Sequence, residues 1–219
     1  MTNRVKLWMS LPVLLLLAAG PARAAGDWKY FSRYMLSVPL ETNAVALVVK
    51  PEWRFRNGMS ELYLVKPEFG LAFTLNRYLE FAPYYVYQDA KTAAGWSHSD
   101  LSYLDGTLKF PLRPLYDLKV IDRLRNQYDW DKKIMIWRNS LRLTRAFAVR
   151  QMNVLPFIEE EIFYSQETGQ FINNWASVGL SISMRKYLDL SVSYMLETER
   201  TTDGWANANV LVSALGLRF

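Results

Sequence analysis

Lys50 and Glu52 stand two residues apart on one stretch, and Lys66 and Glu68 two apart on the next. Between them lies Asn57-Gly58, a step that favours a tight hairpin. A hairpin centred near Met59 sets Lys50 opposite Glu68 and Glu52 opposite Lys66, with Arg54 continuing the charged face. Pro51 and Pro67 then meet on the other face. Opposed charges of this kind contribute about 0.2–1 kcal/mol each. Prolines remove ladder donors, so a bulge or kink is expected at Pro51 and Pro67. Further along, Arg123 and Arg125 share a face, as do Arg138 and Arg142 in the next stretch, and Glu159 and Glu161 in the one after. These residues can form a charge network in the lumen of a barrel. As a site, the network would be an anion-selective lining, or would bind an acidic glycan or lipid group. As filling, it would be the paired charges with which a narrow barrel closes its interior.

His98 is the one histidine and the one imidazole base, in Gly95-Trp96-Ser97-His98-Ser99-Asp100. This segment reads as the longest loop or a strand edge. With Ser97 or Ser99 as nucleophile, His98 could serve a hydrolase. Successive strand residues alternate faces, so the three converge only through a bend. An exposed loop histidine is the simpler reading. The chain has no cysteine, which excludes a disulfide framework, a thiolate metal site and a cysteine nucleophile. No His/Cys/Asp cluster suits a transition metal, and no glycine-rich phosphate loop or Ca²⁺ loop is present. Neither metal nor cofactor is expected.

The elements that position these residues are strands. Hydrophobic residues make up 51% of the 219 and aromatic ones 15%, ample for a folded core. Mean hydropathy is −0.07, and no apolar run is long enough for a mature membrane helix. Period-two alternation recurs instead. Leu47, Val49, Pro51, Trp53 and Phe55 alternate with Lys50, Glu52, Arg54 and Arg56, and Leu188, Leu190, Val192, Tyr194 and Leu196 with Asp189, Ser191, Ser193, Met195 and Glu197. Candidate strands run over about 28–38, 45–56, 61–74, 78–88, 100–110, 118–128, 134–145, 153–164, 171–183, 187–199 and 206–219. Most approach the roughly nine to eleven residues with which a tilted strand crosses a bilayer. Tight turns are expected at Asn76-Arg77 and Arg185-Lys186, and longer loops at 90–99, 129–133, 166–170 and 201–204. Short turns on one side and longer loops on the other form the outer-membrane pattern. Trp96, Trp130 and Trp205 near the loops, with Tyr78 and Tyr187 after the turns, match aromatic girdles at two interfaces. Bacterial single-chain barrels carry even strand numbers, so eleven candidates leave a count of ten to twelve.

Residues 1–24 read as a cleavable signal peptide: Arg4 and Lys6, an apolar stretch over 7–20, then Ala22-Arg23-Ala24 before the cut. Its removal takes away three basic residues (Arg4, Lys6 and Arg23) and no acidic one, lowering the formal net charge from +5 to +2. A nucleic-acid reading thereby loses its support. Residues 25–219 then form one domain. At the far end, Phe219 is aromatic, and Leu217, Leu215 and Leu211 alternate back from it, with Ser213 interrupting. This resembles the signal that outer-membrane barrels present to their assembly machinery.

Six motifs in order carry a family resemblance: Asp27-Trp28, Glu52-Trp53-Arg54-Phe55-Arg56, Asp122-Arg123-Leu124-Arg125, Trp137-Arg138-Asn139-Ser140-Leu141, Pro156-Phe157-Ile158-Glu159-Glu160-Glu161-Ile162-Phe163-Tyr164 and Ala208-Asn209-Val210-Leu211. Together they resemble the family called domain of unknown function twenty-four ninety, over almost the whole mature chain. The resemblance implies an outer-membrane β-barrel and no particular activity. Family members carry an acidic residue and an arginine near the position of Ser97 to Asp100, so Ser-His-Ser-Asp here argues against a family-wide role for His98.

The sequence therefore predicts an all-β fold: a closed antiparallel transmembrane barrel of ten to twelve strands, an up-and-down meander. It would reside as a monomer in the outer membrane of a Gram-negative bacterium, after export. Its partners would be outer-membrane lipid and, through the C-terminal strand, the assembly machinery, and not nucleic acid. Its role would be structural or interactive, or the passage of very small solutes in a porin-like way. The alternatives are a lipid-modifying hydrolase using His98 and a soluble periplasmic lipid-binding barrel.

Overall fold

A computed structural model describes residues 28–40, 44–112, 118–184 and 187–219. The signal peptide expected over residues 1–24 and the turn expected at Arg185-Lys186 lie outside them. The described elements are all strands: β1 (Trp28–Pro39), β2 (Val45–Arg56), β3 (Glu61–Thr74), β4 (Leu79–Thr92), β5 (Gly95–Leu112), β6 (Leu118–Asp129), β7 (Ile134–Arg145), β8 (Phe147–Val149), β9 (Met152–Ser165), β10 (Gln170–Met184), β11 (Leu188–Thr201) and β12 (Gly204–Arg218). Eleven correspond to the eleven stretches of alternating sequence. The twelfth, β8, is a three-residue strand pairing Phe147 to Val149 with Val154 to Met152.

Neighbours in sequence pair antiparallel around the sheet, β9 taking the place beside β7 and β10. The barrel closes between β1 and β12, and there the strands are parallel, from Trp28↔Asn209 to Ser37↔Arg218. The sheet is therefore mixed where uniform antiparallel pairing was expected. The reason is parity. In a meander with an odd number of strands the first and last run the same way, so only a parallel pair can close the ring. Trp28 lies at one end, where its carbonyl accepts from Met59 N at 3.2 Å. Phe219 lies at the other, where its N–H donates to Ser37 O at 3.1 Å.

The hairpin register around Met59 is the one the charges predict: Lys50↔Glu68, Pro51↔Pro67 and Glu52↔Lys66. The turn over 57–60 carries positive φ at Asn57, Gly58 and Met59 (53°, 66° and 68°), and Ser60 Oγ donates to Asn57 O at 2.7 Å. The expected bulge is displaced. The β2–β3 register holds through the proline pair and shifts between Arg54 and Phe55, bypassing Tyr63. In an antiparallel strand successive N–H groups point to opposite neighbours, and the interruptions fall in the outer ladders. The β1–β2 pairing skips the positions facing Pro51, and the β3–β4 pairing skips those at Pro67 and Pro83.

Connection lengths also differ from expectation. At the Trp28 end the hairpins are tight, over 57–60, 93–94, 130–133, 166–169 and 202–203. The polar segments taken for loops are the ends of paired strands. In 90–99, Ala90 pairs with Ser97, Asp89 with His98 and Thr92 with Gly95, whose φ of +116° accommodates the turn. Among the described residues, the connection over 75–78 at the opposite end is no shorter than these hairpins, so the expected contrast of short turns with longer loops is not found there.

Alternation sorts side chains to two faces. Inside, Phe31, Phe163, Trp175, Met195, Val210 and Val212 form one buried cluster, and Val48, Ala82, Tyr84, Val86, Leu101 and Tyr103 another. Gly70 makes room in the second: a Cβ there would lie 2.3 Å from Tyr84 Cδ1 and from Pro83 O.

The parallel seam is testable because the chain has no native cysteine. Ser32 pairs with Ser213 across it. Oxidation of a Ser32→Cys/Ser213→Cys variant should give a species of altered non-reducing mobility, whereas Ser32→Cys/Ser193→Cys should not. Failure of the first pair to cross-link in the folded protein would count against the closure.

Candidate functional site

The eleven charged residues singled out in the sequence all project to the interior. Glu52 on β2 is the most contested carboxylate. It pairs with Arg54 beside it, with Lys66 of β3 at 3.4 Å and with Arg33 of β1 at 3.4 Å. Lys66 bridges on to Glu68 at 3.0 Å, and Glu68 lies 3.8 Å from Arg125 of β6. Arg125 is held by Asp105 of β5 through two hydrogen bonds, Nε–Oδ1 at 2.6 Å and Nη2–Oδ2 at 2.7 Å. Such a planar fork fixes orientation as well as charge. Glu161 of β9 takes Arg138 at 2.8 Å and Arg123 at 3.1 Å. Arg142 pairs with Glu159, which also accepts from Ser140 Oγ at 2.5 Å. Glu52, Lys66, Glu68, Asp105, Arg125, Arg138 and Glu161 are all buried.

Rings complete the partition. Trp175 of β10 lies within cation–π range of Arg33, Arg54 and Arg138, at 5.7, 5.2 and 5.4 Å. Its indole N–H donates to Glu197 of β11 at 3.1 Å, and Glu197 also takes Lys29 of β1 at 2.6 Å. Arg125 sits 4.3 Å over Tyr103. Sequence reasoning missed Arg33, Asp105, Trp175, Lys29 and Glu197. Period two offered a signal for Trp175, the one large ring in the inward row Asn173, Trp175, Ser177, Gly179.

The partition separates two cavities. One of about 260 Å³ reaches toward the Trp28 end past Lys29, Tyr63 and Glu199. The other, of about 540 Å³, runs toward the Phe219 end past Ser183, Asp189 and Arg218. Arg54, Lys66 and Arg138 line both.

The charges do not balance. Arg33, Lys50, Arg54, Lys66, Arg123, Arg125, Arg138 and Arg142 are eight cations, and the carboxylates of their ion pairs are five: Glu52, Glu68, Asp105, Glu159 and Glu161. Lys50 is the outlier. Its Nζ donates to Tyr84 Oη at 2.8 Å, and among the described residues no carboxylate lies within ion-pair distance.

His98 lies on the outer face of β5, 41% exposed, its ring 4.1 Å from that of Tyr87. Nδ1 is 3.3 Å from Asp89 and Nε2 is 3.3 Å from Asp100. Ser97 and Ser99 belong to the opposite face of the strand, Ser99 buried, so the geometry does not assemble a nucleophile with this base. At the C-terminal strand, Leu211, Leu217 and Phe219 are exposed on the outer face, which Leu215 shares, partly buried.

A family model described as a protein of unknown function (DUF2490) matches residues 28–208. The chain belongs to this family. The match takes in every strand of this DUF2490 barrel except the part of β12 beyond residue 208. No curated protein matches the chain.

Removing one partner from a buried ion pair strands the others. Glu52→Gln should therefore destabilise the barrel by about 3–5 kcal/mol, read from urea unfolding. Glu61→Gln, at the hairpin end, should leave the midpoint near that of the parent. Equal midpoints for both variants would remove Glu52 from the centre of the network. His98→Ala should leave lipid A mass spectra identical to those of the parent strain, and a changed lipid A species in that strain would revive the hydrolase.

Proposed function

We propose that the protein is a small integral outer-membrane β-barrel with a structural or interactive role, whose occluded lumen passes at most very small solutes. The observation that carries this reading is the inverted polarity of the barrel. Ion pairs fill the inside, while large apolar side chains stand exposed on every barrel strand, among them Leu36, Leu47, Phe69, Tyr85, Leu104, Leu124, Leu141, Ile158, Leu180, Val192 and Leu211. A soluble barrel would leave this continuous apolar belt in water, far beyond the patches that monomers expose. A bilayer supplies the matching solvent.

Rings at both margins support the same reading. Trp28, Trp96, Trp130, Phe171 and Trp205 are exposed at one end, and Tyr78, Phe147, Tyr187 and Phe219 at the other. Aromatic girdles occupy such positions at the two interfaces. Export by a signal peptide over residues 1–24, contact with outer-membrane lipid, recognition of the terminal strand by the assembly machinery and a monomeric state all belong to this proposal. The partition between the two cavities supports restricted passage over an open pore.

The test compares outer-membrane fractions, unboiled and boiled in detergent, by gel mobility. A heat-dependent shift is the expected result. Recovery in the soluble periplasm without a shift would discard the membrane reading in favour of a soluble lipid-binding barrel. Leu124→Arg gives an independent measure. Near the bilayer midplane it should cost about 2–4 kcal/mol, whereas an exposed site in water would change stability by less than about 0.5 kcal/mol.

A further inference from the structure

The 540 Å³ cavity holds more positive charge than its carboxylates neutralise, and the excess is localised. Lys50, on its wall, has one hydrogen-bond partner among the described residues, the Tyr84 hydroxyl, and an ammonium carries three donors. Arg123, also on the wall, spends one Nη on Glu161, and its Nε is buried with no hydrogen-bond partner. Arg33 Nε lies 3.4 Å from Glu52 without hydrogen-bond geometry and is likewise unpartnered. Glu52 is shared among three cations and Glu161 between two. Acceptors are thus the scarce component. Across β10 and β11 the same cavity is lined by Ser181 and Ser191, whose hydroxyls lie 3.0 Å apart. Small residues there leave space, and hydroxyls there can donate.

Unpaired buried cations are costly, and an anion of compact shape and multiple acceptors removes that cost. We propose that this cavity binds a phosphate-class anion, inorganic phosphate or a phosphomonoester headgroup, held by Lys50 and Arg123 with Arg33 and Arg142 around it and the Ser181–Ser191 pair opposite. The inference goes beyond the outer-membrane reading and does not depend on it, since the site is made by the barrel interior alone.

The experiment is thermal unfolding of the purified, folded barrel in non-ionic detergent, in chloride at fixed ionic strength. The probes are inorganic phosphate and, separately, phosphatidic acid carried in the micelle. A saturable rise in Tm with inorganic phosphate assigns a free anion, and a rise only with phosphatidic acid assigns a headgroup; either supports the site. Lys50→Gln and Arg123→Gln should each weaken the phosphate response about tenfold or more. Lys29→Gln, which alters the other cavity, should retain it. Without phosphate, Lys50→Gln should hold or raise Tm, because it removes an uncompensated charge; a merely structural lysine would lower it. Should Lys50→Gln fail to fold, Arg123→Gln and broadening of the phosphate ³¹P resonance by the parent protein decide the matter. The proposal is overturned by a parent protein that responds to neither probe, by a response to sulfate equal to that to phosphate, or by an undiminished response in the variants. None of these outcomes bears on the heat-dependent gel shift or on fractionation.

Discussion

Glu52 gathers Arg33 from β1, Arg54 from its own strand and Lys66 from β3 onto one carboxylate, and the barrel is organised around that scarcity of acceptors. A one-residue slip of any of these strands would turn its whole inward row outward. It would move the charges into the apolar belt and the apolar side chains into the network. The ion pairs therefore act chiefly on register. Buried pairs bring little net stability once desolvation is counted, and their best-attested use is to select one arrangement among several. Glu52 with Lys66 fixes β2 against β3, Asp105 fixes Arg125 between β5 and β6, and Glu161 fixes Arg138 between β7 and β9.

Closure depends on the same logic at longer range. The parallel seam lacks the help of a connecting hairpin, because its strands are the first and the last. Lys29 of β1 and Glu197 of β11 meet although 168 residues apart, and Glu197 in turn orients Trp175. Trp175 then offers its ring to arginines from β1, β2 and β7. One indole thus ties strands from both sides of the seam to β7 on the far wall.

The strands and the central hairpin were legible in the sequence because period two and an Asn-Gly turn are local signals. Trp28 to Val38 alternates well, but the expectation of an even number leaves the count at ten to twelve; the barrel uses all eleven stretches, and that odd number forces the parallel seam. What local signals could not give were long-range partners. Asp105 falls inside the candidate strand 100–110, but nothing local marks it as the fork for Arg125 of β6. Arg33 meets Glu52 across the β1–β2 ladder, and closure of the seam alone brings Lys29 to Glu197. The loops were misread for a related reason. Polar residues such as Asp89, His98 and Asp100 mark water or an interface as readily in a paired strand end as in a loop, and only cross-strand pairing tells the two apart.

The partition and the charge excess constrain each other. A fully neutral plug would be the simplest way to close a narrow barrel, and seven of the eight inward cations named above do meet carboxylates at ion-pair distance. Lys50 departs from that pattern although its cross-strand neighbour is Glu68. Glu68 is drawn instead to Lys66 and Arg125, and Lys50 turns to the hydroxyl and ring face of Tyr84, its Nζ 4.0 Å from the ring centroid. Gly70 makes that placement of Tyr84 possible, since any Cβ would collide with the ring. A glycine, a tyrosine and a lysine on three successive strands thus combine to keep one cation at the cavity wall without a carboxylate. Plain filling would not need such an arrangement, whereas a site that receives its counter-charge from outside the chain would.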